Sequence, residues 1–401
     1  MPRTPKISED AAAESASLLP FDPVAFHRAL ARWYRLHARE LPWRGMRNPY
    51  GTWLSEIMLQ QTRVATVIER YSEFMTRFPT IDALAAADES EVLALWSGLG
   101  YYRRARMLHR GARFVSRELS GQLPASSAEL RTLPGIGEYT SAAIASIAFR
   151  ESIAVVDGNV ERVLFRVLGM AEDRSAAAKA QITRVAQSLM PPAPSARAQG
   201  NPPGDHNQAM MELGAMICLP RGPLCLQCPV VKFCKTRGEH ETPPREKLKS
   251  RTVAHLLALR KRGTTTEVLF QRRSIDASLM PGMLELPPLP LEAVASKEPV
   301  LRLRHAITNT NYYVQVFAES APGVPPYVSS EIADEEYAPF VAAEEEIEAT
   351  YDSELRRQVV SAERDLRWIA TAALYTQPMT GLARKILQRM GVMALPKTRI
   401  R

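Results

Sequence analysis

Apolar positions at helical spacing dominate the first 234 residues. Leu54, Ile57 and Met58, then Val64, Val67, Ile68 and Tyr71, recur every three or four residues, the period of an amphipathic helix. Val160, Val163, Leu164 and Val167 make another stripe directly after Asp157-Gly158-Asn159. Asp88 with Glu91, and Ser126 with Glu129, have capping-box spacing and predict helix starts. Residues 191–203, rich in Pro, Ala and Ser, read as loop. After residue 234 the pattern changes. Residues 239–251 are polar, contain Pro243-Pro244 and suit a linker. Short β-like runs follow at 253–259 and 267–271, joined by a turn at Gly263, with a further strand at 312–317 and a closing helix at 382–390. The expected architecture is multidomain: a disordered tail (1–20), an all-α region (21–234), a linker (235–250) and a smaller α+β domain (251–395).

A length of 401 residues is consistent with two cores rather than one. No run of 18 apolar residues is present, so no membrane span is expected, and the N-terminus lacks the basic-then-apolar order of a secretory signal. A cytoplasmic protein, nucleoid-associated in a bacterium, is the expectation. The net charge is +8. Residues 331–354 hold ten acidic residues and no Lys or Arg, so the rest of the chain is more basic still. Such a surplus favours a polyanionic partner through counterion release, although a merely well-solvated basic surface would look the same.

All four cysteines fall within one short stretch, as Cys218, Cys225, Cys228 and Cys234. Clustered thiols suit a reducing compartment and one compact metal centre, because each short loop returns the chain to the same point. Spacing alone leaves a structural zinc and an iron–sulfur cluster both open. Arg221, between the first two cysteines, lies in an exposed, basic loop of the kind a phosphate contact needs. Leu133-Pro134-Gly135-Ile136-Gly137 joins two helical segments, and Gly135, Ile136 and Gly137 would turn backbone amides toward a phosphate at a helix start. A plain interhelical turn fits the same residues. Glu56 is a lone carboxylate in an otherwise apolar helix, where burial would raise its pKa enough to make it an acid near neutral pH. Asp157 stands at a helix entry, where an ordinary N-cap is the plain reading. Together the two would suit glycosidic cleavage, one helping the leaving group and one facing a cationic sugar.

In combination these residues resemble the helix–hairpin–helix DNA glycosylases, specifically adenine DNA glycosylases of the MutY type. The matching motifs are Leu41-Pro42-Trp43-Arg44, residues 55–62 (Ser-Glu-Ile-Met-Leu-Gln-Gln-Thr), Gly98-Leu99-Gly100-Tyr101-Tyr102, the Leu133 hairpin, residues 156–160 (Val-Asp-Gly-Asn-Val), residues 207–214 (Asn-Gln-Ala-Met-Met-Glu-Leu-Gly) and the cysteine loop. The resemblance runs from about residue 21 to 234 and implies double-stranded DNA as partner, a monomer, and a 4Fe–4S cluster on the four cysteines. It implies removal of adenine flipped from an A·8-oxoguanine or A·G mispair. Glu56 would protonate adenine and then help position water. Asp157 would stabilise the cationic sugar or add to it. Tyr139 would support the sugar site, and Asn159 would order its surroundings. Trp43, Arg44, Leu59, Gln61 and Glu212 would line the adenine pocket, and Gln60 and Tyr101 would wedge into the base stack.

Endonuclease III-like relatives carry a Schiff-base lysine where this chain has Tyr139, so the resemblance implies a monofunctional glycosylase rather than a lyase. A non-catalytic iron–sulfur DNA-binding module would need neither Glu56 nor Asp157. Residues 251–390 resemble the Nudix-like domain of the same family, most clearly at 280–287, but without the acidic Nudix box. Where that family senses 8-oxoguanine with a Phe-Ser-His turn, this chain has Ile307-Thr308-Asn309, which keeps polar groups at Thr308 and Asn309 and loses the aromatic.

Overall fold

The computed structural model describes residues 19–45, 48–173, 175–195, 198, 200–240, 248–277, 279–307, 309–320 and 365–394. The expected tail through residue 18, part of the linker (241–247), Thr308 and the acidic stretch 331–354 lie outside the described residues. The chain divides into two compact units, one of Met1–Ala86 with Met107–Pro244, the other of Ala87–Arg106 with Arg245–Arg401.

The helices, in chain order, are α1 (Pro23–His37), α2 (Pro49–Leu59), α3 (Val64–Arg77), α4 (Ile81–Ala86), α5 (Glu89–Leu95), α6 (Arg103–Glu118), α7 (Ser127–Leu130), α8 (Glu138–Phe149), α9 (Gly158–Leu168), α10 (Ala176–Ser188) and α11 (Pro202–Met216). Of these, α5 and the start of α6 fall in the second unit. Local chemistry starts most of them. Asp22, Asn48, Ser126, Asp157, Ser175 and Asn201 each accept backbone N–H bonds at an N-terminus, and α1, α2 and α11 place proline in the first turn. At Asp88 the capping expectation fails: its side chain makes no cap bond, and the α5 start relies on backbone bonds from Glu91 and Val92 to its carbonyl. The first unit's core brings together Phe26 and Leu30 of α1, Leu164 of α9, Ile182 of α10 and Leu213 of α11, all fully buried. Fully burying each such side chain contributes roughly 1.5–3 kcal/mol.

The second unit is built on a mixed sheet of β1 (Lys249–Arg262), β2 (Thr265–Arg272), β3 (Leu284–Glu285), β4 (Pro288–Leu289), β5 (Leu301–Ile307), β6 (Thr310–Ser320) and β7 (Leu366–Ala370). The order is β3-β2-β1-β6-β5, with β4 on β1 and β7 on β2. All the pairings are antiparallel except β1 with β6, which run parallel. Both faces are covered. Helix α12 (Gly381–Arg389) packs Ile386 and Leu387 against Leu257, Val268 and Val316 on one face, and Leu289 and Val294 meet Leu256 and Phe317 on the other. Two contacts explain why Ala87–Arg106 groups with this sheet. Tyr102 Oη donates to the Met379 carbonyl at 2.8 Å, and Arg106 Nη2 donates to the Pro281 carbonyl at 2.7 Å.

Candidate active site

Glu56 sits on α2, a helix apolar on nearly all sides, with every residue from Tyr50 to Met58 buried. Only 5% of Glu56 is exposed, and Tyr139 Oη, from the first turn of α8, donates to its Oε2 at 2.7 Å. Burial pushes the Glu56 carboxyl up to about 7. The Tyr139 hydrogen bond opposes that rise, the negative charge of Asp157 adds to it, and Arg44 opposes it. Tyr139 in turn is pushed well above the ordinary phenol range by burial, then by Glu56 and Asp157. Three groups from α2, α8 and the entry to α9 therefore act on one another at a single place.

Asp157 is an N-cap, and its capping bonds fix its orientation. Oδ1 accepts from Asn159 N at 2.9 Å and Val160 N at 2.8 Å, and Oδ2 accepts from Asn159 Nδ2 at 2.9 Å. The extended approach to Asp157 is held from α11: Asn207 Oδ1 accepts from Val155 N, and its Nδ2 donates to the Ile153 carbonyl and to Ser146 Oγ. Arg162, one turn beyond Asn159, donates from Nη2 to Asn159 Oδ1 and the Gly214 carbonyl and from Nε to the Cys218 carbonyl. Neither Asn207 nor Arg162 was assigned a role from the sequence. The i, i+3 spacing from Asn159 to Arg162 was the available signal for the second.

Gly214 faces Asn159 so closely that a Cβ there would lie 2.6 Å from Asn159 Cβ and 3.0 Å from its carbonyl oxygen. Gly214→Ala is therefore expected to push Asn159 off its bond to Asp157 and cost about 1–3 kcal/mol through overpacking. Denaturant unfolding checks the stability loss, and a variant as stable as the native chain would contradict it.

Glu212 is 1% exposed and its carboxylate is fully engaged. Oε1 accepts from Arg39 N and Nε, and Oε2 accepts from Arg39 Nη2 and Arg44 Nη2, at 2.8–3.0 Å. Burial alone would raise its pKa, but the Arg39 and Arg44 bonds outweigh it and hold the group down at about 2. Arg39 is a third residue the sequence did not single out. Of the other expected pocket residues, Trp43 is buried edge-on against Tyr71 at 5.3 Å, Leu59 is half-buried, and Gln61 is exposed with a φ of 56°. Gln60 donates from Nε2 to Thr140 Oγ1 at 3.3 Å. Tyr101 is exposed in the second unit.

In the hairpin, Gly135 takes a φ of 82°, and a Cβ there would come within 2.7 Å of Met107 Cβ, so glycine is required on both counts. Gly137 enters α8 without a side-chain cap, and both glycines are exposed. Ile136 differs: its side chain is buried and its N–H is spent on the Leu133 carbonyl. Any ligand there would meet Gly135, Gly137 and the first turn of α8.

The four cysteines line one concavity with Val163, Arg166, Leu213, Ile217 and Val230. Two 3-10 turns, Cys225–Gln227 and Val231–Phe233, each end at a cysteine and fold the chain around it. Among the described residues no three His, Cys, Asp or Glu side chains are grouped to hold a single metal ion. Burial pushes Cys228 up to about 11, the neighbouring thiols adding to the rise, and burial also raises Cys218 against the opposing pull of Arg166 and Arg162, so a cationic centre would favour these two as thiolates. Arg166 donates from Nη1 to Cys218 Sγ and to the Leu219 carbonyl, and from Nη2 to the Pro220 carbonyl, fixing the start of the loop that presents Arg221 to solvent. In the second unit, Asn309 is exposed at the β5–β6 turn, its carbonyl accepting from Lys249 N.

Residues 54–192 match the family described as HhH-GPD superfamily base excision DNA repair protein. Adenine DNA glycosylase of Homo sapiens is 48% identical over 227 residues, 54% of this chain and 40% of that protein. Adenine DNA glycosylase of Buchnera aphidicola subsp. Baizongia pistaciae is 39% identical over 214 residues, 53% of this chain and 58% of that protein. The chain thus spans about half the length of the curated relatives it matches. A solved structure of a thermostable thymine-DNA glycosylase aligns with a TM-score of 0.48 and 28% identity, over 54% of this chain and 96% of that one. The helical region at residues 54–192 belongs to the HhH-GPD superfamily of base excision DNA repair proteins.

Proposed function

We propose that the protein is a monofunctional DNA glycosylase that hydrolyses the N-glycosidic bond of adenine paired with 8-oxoguanine or guanine. The observation that carries this reading is the meeting of Glu56, Tyr139 and Asp157, a buried acid that keeps its proton near neutral pH beside an oriented carboxylate. Glu56 delivers that proton to the adenine ring as the bond from sugar C1′ to the base nitrogen breaks. The bonding electrons leave with adenine, and the cationic sugar forms against the Asp157 carboxylate. Water then adds to C1′ and returns a proton, leaving an abasic site. With Tyr139 at the hairpin position and hydrogen-bonded to Glu56, no amine there attacks the sugar. The adenine DNA glycosylases of human and Buchnera, similar over this same region, support adenine as the base.

Cys218, Cys225, Cys228 and Cys234 would hold a 4Fe–4S cluster. The four thiols lining one concavity, and the resemblance of their loop to that of the adenine DNA glycosylases, support that choice. Bound there, the cluster would supply charge compensation and rigidity to the loop that carries Arg221. The second unit would be a Nudix-like domain sensing the opposing purine, with Asn309 at the tip of its β5–β6 turn. Double-stranded DNA is the partner, and the chain acts as a monomer.

Duplexes bearing A·8-oxoguanine, A·G and an oxidised pyrimidine test the reading directly. Adenine release without strand scission is expected, and cleavage at the pyrimidine with adenine left in place would overturn it. Absorption near 400 nm is expected from the purified protein, and a colourless protein containing stoichiometric zinc would refute the cluster.

A further inference from the structure

Gly98-Leu99-Gly100-Tyr101 is an unusual turn, with φ of 96° at Gly98, 67° at Gly100 and 47° at Tyr101. The left-handed region suits glycine and is disfavoured for a tyrosine, whose Cβ crowds the backbone there. Yet Tyr101 adopts it, and the residue is 47% exposed. One side chain underlies this arrangement. Arg104 Nη2 donates to the Leu99 carbonyl at 2.9 Å and the Gly100 carbonyl at 3.2 Å. Its Cζ lies 5.4 Å from the Tyr101 ring centroid and 5.6 Å from that of Trp96. Trp96 Nε1 also donates to the Gly100 carbonyl, and Arg104 N donates to the Tyr101 carbonyl, so the turn is tied at three successive residues. Burial pulls the Arg104 guanidinium down to about 10, with Tyr101 acting in the opposite direction. A cation invested this way is committed to the loop rather than displayed to solvent.

We propose that Arg104 is a positioning residue that holds the strained turn and backs the Tyr101 ring, so that Tyr101 presents a fixed stacking face to a nucleobase, and that Arg104 itself binds no phosphate. The proposal rests on the reading of Tyr101 as a base-stacking wedge. A planar fork can bond two carbonyls while lying against rings, whereas a lysine offers a point charge and neither feature. The outward face of Tyr101 then meets a base with no ordering left to do on binding.

A double-substitution cycle on the full chain tests this, using a duplex with non-hydrolysable 2′-fluoroadenosine opposite guanine and 2-aminopurine beside the mispair. Tyr101→Ala and Arg104→Met are each expected to weaken binding about tenfold and to raise or lower the 2-aminopurine signal alike. The variant carrying both should bind no worse than Tyr101→Ala alone, and Arg104→Lys should fail to restore affinity. If Arg104→Met does not fold, Arg104→Lys, which keeps charge and stem, takes its place in the cycle. Multiplied losses in the double variant, or rescue by lysine with a salt slope lowered by about one in Arg104→Met, would show a direct phosphate contact and overturn the proposal. Native binding and an unchanged signal in Tyr101→Ala would instead remove the wedge reading itself, and this inference with it.

Discussion

Glu56→Gln is expected to abolish adenine excision, slowing it by at least the roughly 10²–10⁴-fold that a general acid supplies, while duplex binding stays near native. The same substitution should make the protein more stable above neutral pH. In the unfolded chain Glu56 titrates near 4.5, and in the folded site near 7. Below the first value both states hold the proton and nothing distinguishes glutamate from glutamine. Between the two values only the unfolded chain releases it, so native stability declines as pH rises. Above the folded value the loss is complete, on the order of 3 kcal/mol for a shift of this size. Glutamine is isosteric, cannot ionise, and still accepts the Tyr139 bond through its amide oxygen. Urea unfolding at pH 5 and pH 8.5 should show a lead for Glu56→Gln of about 1 kcal/mol or less at the first and about 3 kcal/mol at the second. Equal stabilities at both would mean that Glu56 is not a desolvated acid. In the native enzyme the excision rate should fall as pH rises through about 7, the value at which Glu56 gives up its proton.

The parts of this site legible in the sequence are those with a local signature. Glu56 stands out because Trp53, Leu54, Ile57 and Met58 surround it with apolar positions at helical spacing, and a carboxylate among them is buried by geometry alone. Asp157 and the hairpin glycines stand at helix entries, where turn chemistry restricts residue choice. What was hidden depends on distant pairing. Arg39 meets Glu212 across 173 positions, and no local pattern ties an arginine after α1 to a glutamate in α11. Asn207 reads as part of a motif, but its work of holding the approach to Asp157 exists only once α11 lies beside α8. The strands at 253–259 and 312–317 were visible as β-like runs, yet both are longer, as Lys249–Arg262 and Thr310–Ser320, because their parallel pairing with each other, and the antiparallel pairing of Arg260–Arg262 with β2, extend them through polar ends. Likewise the grouping of Ala87–Arg106 with the sheet rests on Tyr102 and Arg106 bonds to the carbonyls of Met379 and Pro281, which helical periodicity cannot foretell.

Asp157→Asn separates the two roles that one side chain performs. Asparagine is as good an N-cap as aspartate and can keep the bonds from Asn159 N and Val160 N, losing only the acceptor for Asn159 Nδ2, so stability should change by about 1 kcal/mol or less. What disappears is the negative charge opposite the forming sugar cation, and loss of such preorganised stabilisation is expected to slow excision by about 10²–10³-fold or more. A second consequence follows at Glu56. The charge of Asp157 helps to raise the Glu56 pKa, so its removal should lower that value and move the alkaline fall in residual activity to lower pH. Asp157→Ala should add the loss of the cap, about 1 kcal/mol, to the same loss of turnover. If Asp157→Asn were as unstable as Asp157→Ala but retained native excision, Asp157 would be a cap and nothing more. Loss of excision in both variants, with stability lost only in alanine, places the carboxylate's charge in the chemistry and its oxygen in the fold.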